Sequence, residues 1–180
     1  MIQQIILTNT GRKIIIREAV ETDAAEILDF GDELFATTDQ VLTVTEEFNY
    51  TIEQEQDMIR DHATRQDALL LVAADGDKIV ALMNFSCHKK QKIKHWGEMG
   101  ISVRPDYQQN GIGKAMMQIL LDWAAAAPQV EKIILNVFHS NSHAIRLYRE
   151  LGFAEEGRQL KAVRQPDGSY ADMITMSYFK

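Results

Sequence analysis

A single cysteine, Cys87, rules out an internal disulfide, and with no C-x-x-C partner it cannot serve a paired-thiol redox or zinc site. In its context, Asn84-Phe85-Ser86-Cys87, it is expected as a half-buried strand residue. There are only three prolines, at 105, 128 and 166, and no Pro- or Gly-rich linker, repeat or low-complexity tract divides the chain. One continuous domain over residues 1–180 is therefore expected. Long hydrophobic runs are missing: none approaches the roughly 20 apolar residues that span a bilayer. The opening Met1-Ile2-Gln3-Gln4-Ile5-Ile6-Leu7 is too short and polar for a secretory signal, and no basic residue precedes its apolar part. A cytoplasmic protein without membrane association is expected, and the sequon Asn49-Tyr50-Thr51 then counts as chance. Basic residues are scarce, 19 Lys and Arg against 26 Asp and Glu, a net charge of -7. That balance argues against a nucleic-acid partner.

What is present is a 46% hydrophobic share, enough for a core, and a clear alternation of periods. Lys13 to Arg17 reads as a strand. Asp23-Ala24-Ala25-Glu26 resembles a capping box opening a helix through Ile27, Leu28 and Leu34. Residues 46–66 read as a second helix with Met58 and Ile59 on its apolar side. Its acids, Glu46, Glu47, Glu53, Glu55, Asp57 and Asp61, form either a solvated face or a lure for a cationic ligand. Leu69 to Ala74 and Lys78 to Ser86 read as strands joined by Asp75-Gly76-Asp77, a hairpin signal. His95 to Val103 reads as a further strand, closed by Pro105.

A helix follows from Gly111, with Ile112, Met116, Ile119, Leu120 and Trp123 at helical spacing and Pro128 as its stop. Ile133 to Val137 is nearly all apolar, as in a strand buried on both faces. Strand, helix and buried strand form a parallel unit. Ser140 or Asn141 caps the next helix, which ends at Leu151-Gly152. Two strands, near 153–164 and 171–179, turn at Asp167-Gly168. The order β-α-α-β-β-β-α-β-α-β-β predicts a mixed α/β fold.

The most informative stretch joins strand to helix: Ile101-Ser102-Val103, then Gln108-Gln109-Asn110-Gly111-Ile112-Gly113-Lys114. Two glycines stand where the helix opens, so an anion can approach free amides at the positive end of the dipole. A Walker A loop would need glycine at 108 and Ser or Thr at 115, where Gln108 and Ala115 stand. A dinucleotide fingerprint would need a third glycine in place of Met116, on a strand that opens the domain. Alone, the two glycines are better read as serving a tight turn.

Gln108, Gly111 and Gly113 fill Gln-x-x-Gly-x-Gly, which resembles the acyl-CoA pyrophosphate loop of the GNAT superfamily of N-acetyltransferases. A second stretch, Asn141 to Phe153, is similar to that family's N-x-x-A-x-x-L-Y-x-x-x-G-F pattern, filled here by Asn141, Ala144, Leu147, Tyr148, Gly152 and Phe153. The resemblance spans about residues 12–179 and is strongest over 98–157. The tail from Gly157 to Asp172 resembles the branch of ribosomal-protein and polyamine acetyltransferases. One departure is Gln109-Asn110, where many relatives carry Arg-Gly, which leaves Lys114 as the nearest cation.

The resemblance implies a mostly antiparallel sheet in which strands 98–103 and 133–137 splay apart. It implies acetyl-CoA as cosubstrate, held by Ile101, Ser102, Val103, the turn from Gln108 to Lys114 (Gln109, Asn110, Gly111, Ile112 and Gly113 between them), Asn141 and Tyr148. The acceptor it implies is a small amine or a peptide N-terminus; a silent CoA-binding module is the rival, and a homodimer is compatible. Amine acetylation needs a base and benefits from an acid at the leaving sulfur. Glu98 is the candidate base and otherwise an exposed strand carboxylate. Tyr148 is the candidate acid and otherwise a core aromatic, while Asn141 either contacts the cosubstrate or only caps a helix. His139 and His143 straddle a helix start and His95 ends a strand, so no metal site is expected. No G-x-S-x-G elbow exists for a serine nucleophile.

Overall fold

A computed structural model describes residues 2–180. Eight strands alternate with four helices: β1 Gln3–Leu7, β2 Lys13–Glu18, α1 Ala24–Thr37, α2 Ile52–Thr64, β3 Ala68–Asp75, β4 Lys78–Cys87, β5 Trp96–Val103, α3 Ile112–Ala126, β6 Lys132–Phe138, α4 Ser142–Glu150, β7 Ala154–Arg164 and β8 Tyr170–Phe179. The strands form one mixed sheet in the order β1-β2-β3-β4-β5-β6-β8-β7. Every neighbouring pair is antiparallel except β5 with β6.

Period-two alternation divides the core between the two faces of this sheet. Leu69, Leu71 and Ala73 of β3 pack with Ile14, Ile16, Met116, Met117 and Leu120 on one face. Leu70 and Val72 of the same strand pack with Ile27, Phe30, Leu34 and Ile59 on the other. So α3 and α4 cover one face, α1 and α2 the other, and β3 is apolar throughout because both its sides are buried.

The parallel unit is present, but β5 and β6 pair only at Trp96↔Lys132, Gly97↔Ile133 and Glu98↔Ile134. Beyond that point β5 stays on β4, as far as Val103↔Ala81, and β6 stays on β8, as far as Phe138↔Met173. The strands thus diverge a residue or two later than the expected 98–103 and 133–137, leaving backbone without a sheet partner on facing edges.

Four local expectations change. An N-terminal strand, β1, pairs with β2 from Gln3↔Arg17 to Leu7↔Lys13. The second helix is shorter than 46–66: residues 45–47 form a separate 3-10 turn, and α2 starts where Thr51 and Gln54 make a reciprocal capping box. Asp23 does not cap α1 with its side chain. Its carboxylate pairs with Arg17 at 2.6 and 2.8 Å and accepts from the Val20 amide at 2.8 Å. Burial alone would raise the Asp23 pKa; Arg17 and that amide outweigh it and hold the pKa below the usual range. Cys87 is buried rather than half-buried, at 3% exposure. Its desolvation, with Asp67 nearby, pushes the thiol up to about 11.

Candidate active site

The divergence of β5 and β6 opens a cavity of about 540 Å³. Its floor is Ile101 and Val103 of β5, one end is the turn before α3, and the wall is α4. The turn is fixed from several sides. Arg104, 5% exposed, donates from Nε to the Ile79 carbonyl at 2.8 Å and pairs with Glu33 of α1. Arg12, just past the β1–β2 turn, donates to the Tyr107 hydroxyl at 2.9 Å, and that hydroxyl donates to Asp75 at 3.0 Å. Asn9 from the same turn donates to the Gln109 carbonyl at 3.1 Å.

The helix start explains what this cavity can hold. Gly111 sits at the N-cap of α3 with φ +84°, a left-handed conformation that costs other residues about 1–2 kcal/mol. No side chain caps α3, whereas Thr51 caps α2 and Asn141 caps α4. The first amides of α3 therefore lack internal partners and face the cavity, with the positive dipole end behind them. At Gly113 an added Cβ would lie 3.9–4.0 Å from Leu147, Ile101 and Val103. The missing side chain thus leaves a seat on the cavity floor, not relief of a clash. Lys114, Arg146 and His143 supply cationic or proton-bearing groups to the lining. Uncapped amides, bare glycine and two permanent cations suit a phosphate or pyrophosphate.

Of the residues singled out in the sequence, Ile101, Val103, Gln108, Gln109, Gly111, Ile112, Gly113, Lys114, Asn141 and Tyr148 all line this cavity. Ser102 does not: strand alternation turns it to the opposite face of the sheet. Asn110 folds its amide back onto the Gln108 carbonyl at 3.0 Å. Asn141 accepts from the Ala144 amide at 3.1 Å, so its carbonyl oxygen serves as the helix cap. Tyr148 is buried on α4 beside Phe153, ring centres 6.0 Å apart, and burial pushes its phenol up to about 12. Arg146 and Asn9 were missed. Arg146 lies inside the 141–153 motif, which is its signal. Asn9 arrives from a hairpin a hundred residues away, and no local pattern announces it.

Glu98 lines neither this cavity nor its neighbour across the sheet. Its carboxylate lies 3.8 Å from His88 Nε2, and His88 in turn stacks edge-on against Trp96. It shares a sheet face with Gly100 and Ser102, which border a second cavity of about 530 Å³ between β4, β5, α1 and α2. Ile101 borders both cavities. Among the described residues no three His, Cys, Asp or Glu side chains are grouped as metal ligands, and no helix is long and apolar enough to cross a membrane.

Comparison with known proteins agrees with this fold. The sequence pattern of the Acetyltransferase (GNAT) family matches residues 35–153, and the chain belongs to that family. L-amino acid N-acetyltransferase AaaT of Escherichia coli is 28% identical over 111 residues, 62% of this chain and 67% of that protein. The spermidine N(1)-acetyltransferase of Escherichia coli is 29% identical over 124 residues, 68% of this chain but 62% of that enzyme. Among solved structures, an acetyltransferase of the GNAT family from Streptococcus pneumoniae superposes with a TM-score of 0.90 at 26% identity, covering 93% of this chain and 99% of its own. YncA, a putative acetyltransferase from Salmonella typhimurium solved with its cofactor acetyl-CoA, shares the fold with a TM-score of 0.80 at 17% identity, over 92% and 93% of the two chains.

Proposed function

We propose that the protein transfers the acetyl group of acetyl-CoA to a primary amine by direct attack, with both substrates bound at once. The observation that carries this reading is the uncapped, glycine-seated start of α3, which opens onto the gap between β5 and β6. Acetyl-CoA supplies an activated thioester when bound. The amides at 112–114, with Lys114 and Arg146, hold its pyrophosphate. Freed edge groups of Ile101 and Val103 hydrogen-bond the pantetheine arm as an added strand would. Ile101 borders both cavities, so an amine in the second lies next to a thioester held in the first.

An alkylamine is mostly protonated near neutral pH and must lose a proton to attack. Glu98 takes that proton through water, because it stands two residues along β5 from Gly100, about 7 Å away. Tyr148, in the lining of the same cavity, donates a proton to the sulfur as it leaves. The test is release of free CoA from acetyl-CoA across a panel of amines and N-terminal peptides. Amine-dependent release is expected; binding of CoA with no acceptor turned over would mark a silent module and overturn the reading.

A further inference from the structure

The acids of α2 do not act as one face. Glu53, Asp57 and Asp61 are exposed, and Asp57 and Asp61 are paired with Arg60 and Arg65. Glu55 is different: it is 4% exposed, and its Oε1 is buried without a hydrogen-bond partner among the described residues. It lines the second cavity, and it is the only charged side chain of the described residues to do so. The rest of the lining is largely apolar and aromatic, with Phe30, Phe35, Phe48, Tyr50, Met58 and Leu82 prominent. Phe35 and Phe48 meet edge-to-face at 4.7 Å, and Phe48 and Tyr50 at 5.6 Å. Gly31 of α1 makes this wall possible, since a Cβ there would collide with the Phe48 ring.

A carboxylate desolvated against apolar carbon and left unpaired is costly. Burial raises the Glu55 pKa, the response of a carboxyl whose counter-charge is missing. A ligand that brings one positive charge on an apolar body supplies that counter-charge and also fills the aromatic wall, where cation–π attraction adds to the pairing. A polyamine fits less well, because its charges are spread along the chain and only one carboxylate faces the cavity.

We propose that the second cavity is the acceptor site for a monocationic amine carried on an apolar or aromatic body, and that Glu55 selects it by pairing with its ammonium group. This rests on the acetyl-transfer reading, with the second cavity as the acceptor side. Size, one charge and apolar walls set the class: an arylalkylamine or the free amino group of an apolar compound.

The first test is of binding. A phenylalkyl trimethylammonium ion cannot be acetylated; its neutral isostere has carbon in place of the quaternary nitrogen. By calorimetry, wild-type protein should bind the cation at least about tenfold more tightly than the isostere, with spermidine weaker than either the cation or unbound. In Glu55→Gln that ratio should fall towards one. The variant should fold at least as stably at neutral pH: a carboxyl whose folded pKa is raised loses stability as pH climbs through that value, and the amide has no such loss. Equal binding of the two probes, no binding of the cation, tighter binding of spermidine, or a ratio unchanged in Glu55→Gln would each overturn the proposal. Amine turnover without charge preference overturns it and leaves acetyl transfer standing. Cation binding without any turnover overturns the acetyl-transfer reading, and the acceptor role with it, and leaves only the pairing of Glu55 with a cation.

Discussion

Burial pushes the Tyr148 phenol up to about 12, which keeps it protonated throughout the physiological range but also makes it a reluctant acid. A thiolate in water, with a thiol pKa of about 8.5, would take that proton only uphill by about 5 kcal/mol. The same physics removes the difficulty inside the cavity. Desolvation raises thiols too, as it does for Cys87, pushed up to about 11. The proposed acid role of Tyr148 therefore requires a sulfur that leaves while water is excluded. Tyr148→Phe keeps the ring against Phe153 and deletes the donor. Turnover should fall by about 10²–10⁴ while CoA affinity and thermal midpoint hold. Measuring turnover and melting on one preparation checks this; normal turnover with altered stability would make Tyr148 a packing residue. The place of Tyr148 in the cavity lining was legible because its motif is specific. Glu55 was not, although it stands four residues before buried Ile59 and thus on the same helix face. Its charge suggested solvent, and only packing decides which acid turns inward.

At the scale of elements, α3 matters for where its first turn opens: like α1 it has no side-chain cap, but its start lies on the first cavity. α2 and α4 satisfy their leading amides with Thr51 and Asn141, and α3 keeps its own open. Gly111→Ala would impose the left-handed strain at φ +84° without meeting any atom within 4 Å. The expected cost is about 1–2 kcal/mol, seen as a fall of roughly 2–8 °C in thermal midpoint; an unchanged midpoint would mean that the turn relaxes to another conformation. Most elements were legible from period and punctuation. The errors came where side chains had two possible partners. Asp23 had the sequence look of a cap, but Arg17 on β2 claims it. The helix expected from 46 begins only at Ile52, because Thr51 and Gln54 form the real capping box. β1 was overlooked because a short, Gln-rich run shows little alternation until β2 lies beside it.

For the molecule as a whole, the sheet supplies the site by what it leaves unpaired. β3 is buried on both faces and anchors helices on either side, while β5 is held by β4 and β6 by β8, and the two separate after Glu98↔Ile134. The parallel pair was legible from strand, helix and apolar strand in succession. The insertion of β8 between β6 and β7, and the Asn9 contact with the Gln109 carbonyl, depend on pairings far apart in sequence that no window contains. The central claim is that the start of α3 seats the phosphates of acetyl-CoA in this gap. Titration calorimetry of acetyl-CoA into wild-type protein and Gly113→Val tests it most directly. An added Cβ meets nothing closer than 3.9 Å, so the variant should melt as a folded protein. The expected result is one site per wild-type chain and an affinity at least tenfold weaker in the variant, about 1.4 kcal/mol. Unchanged acetyl-CoA affinity in a folded Gly113→Val protein would contradict it.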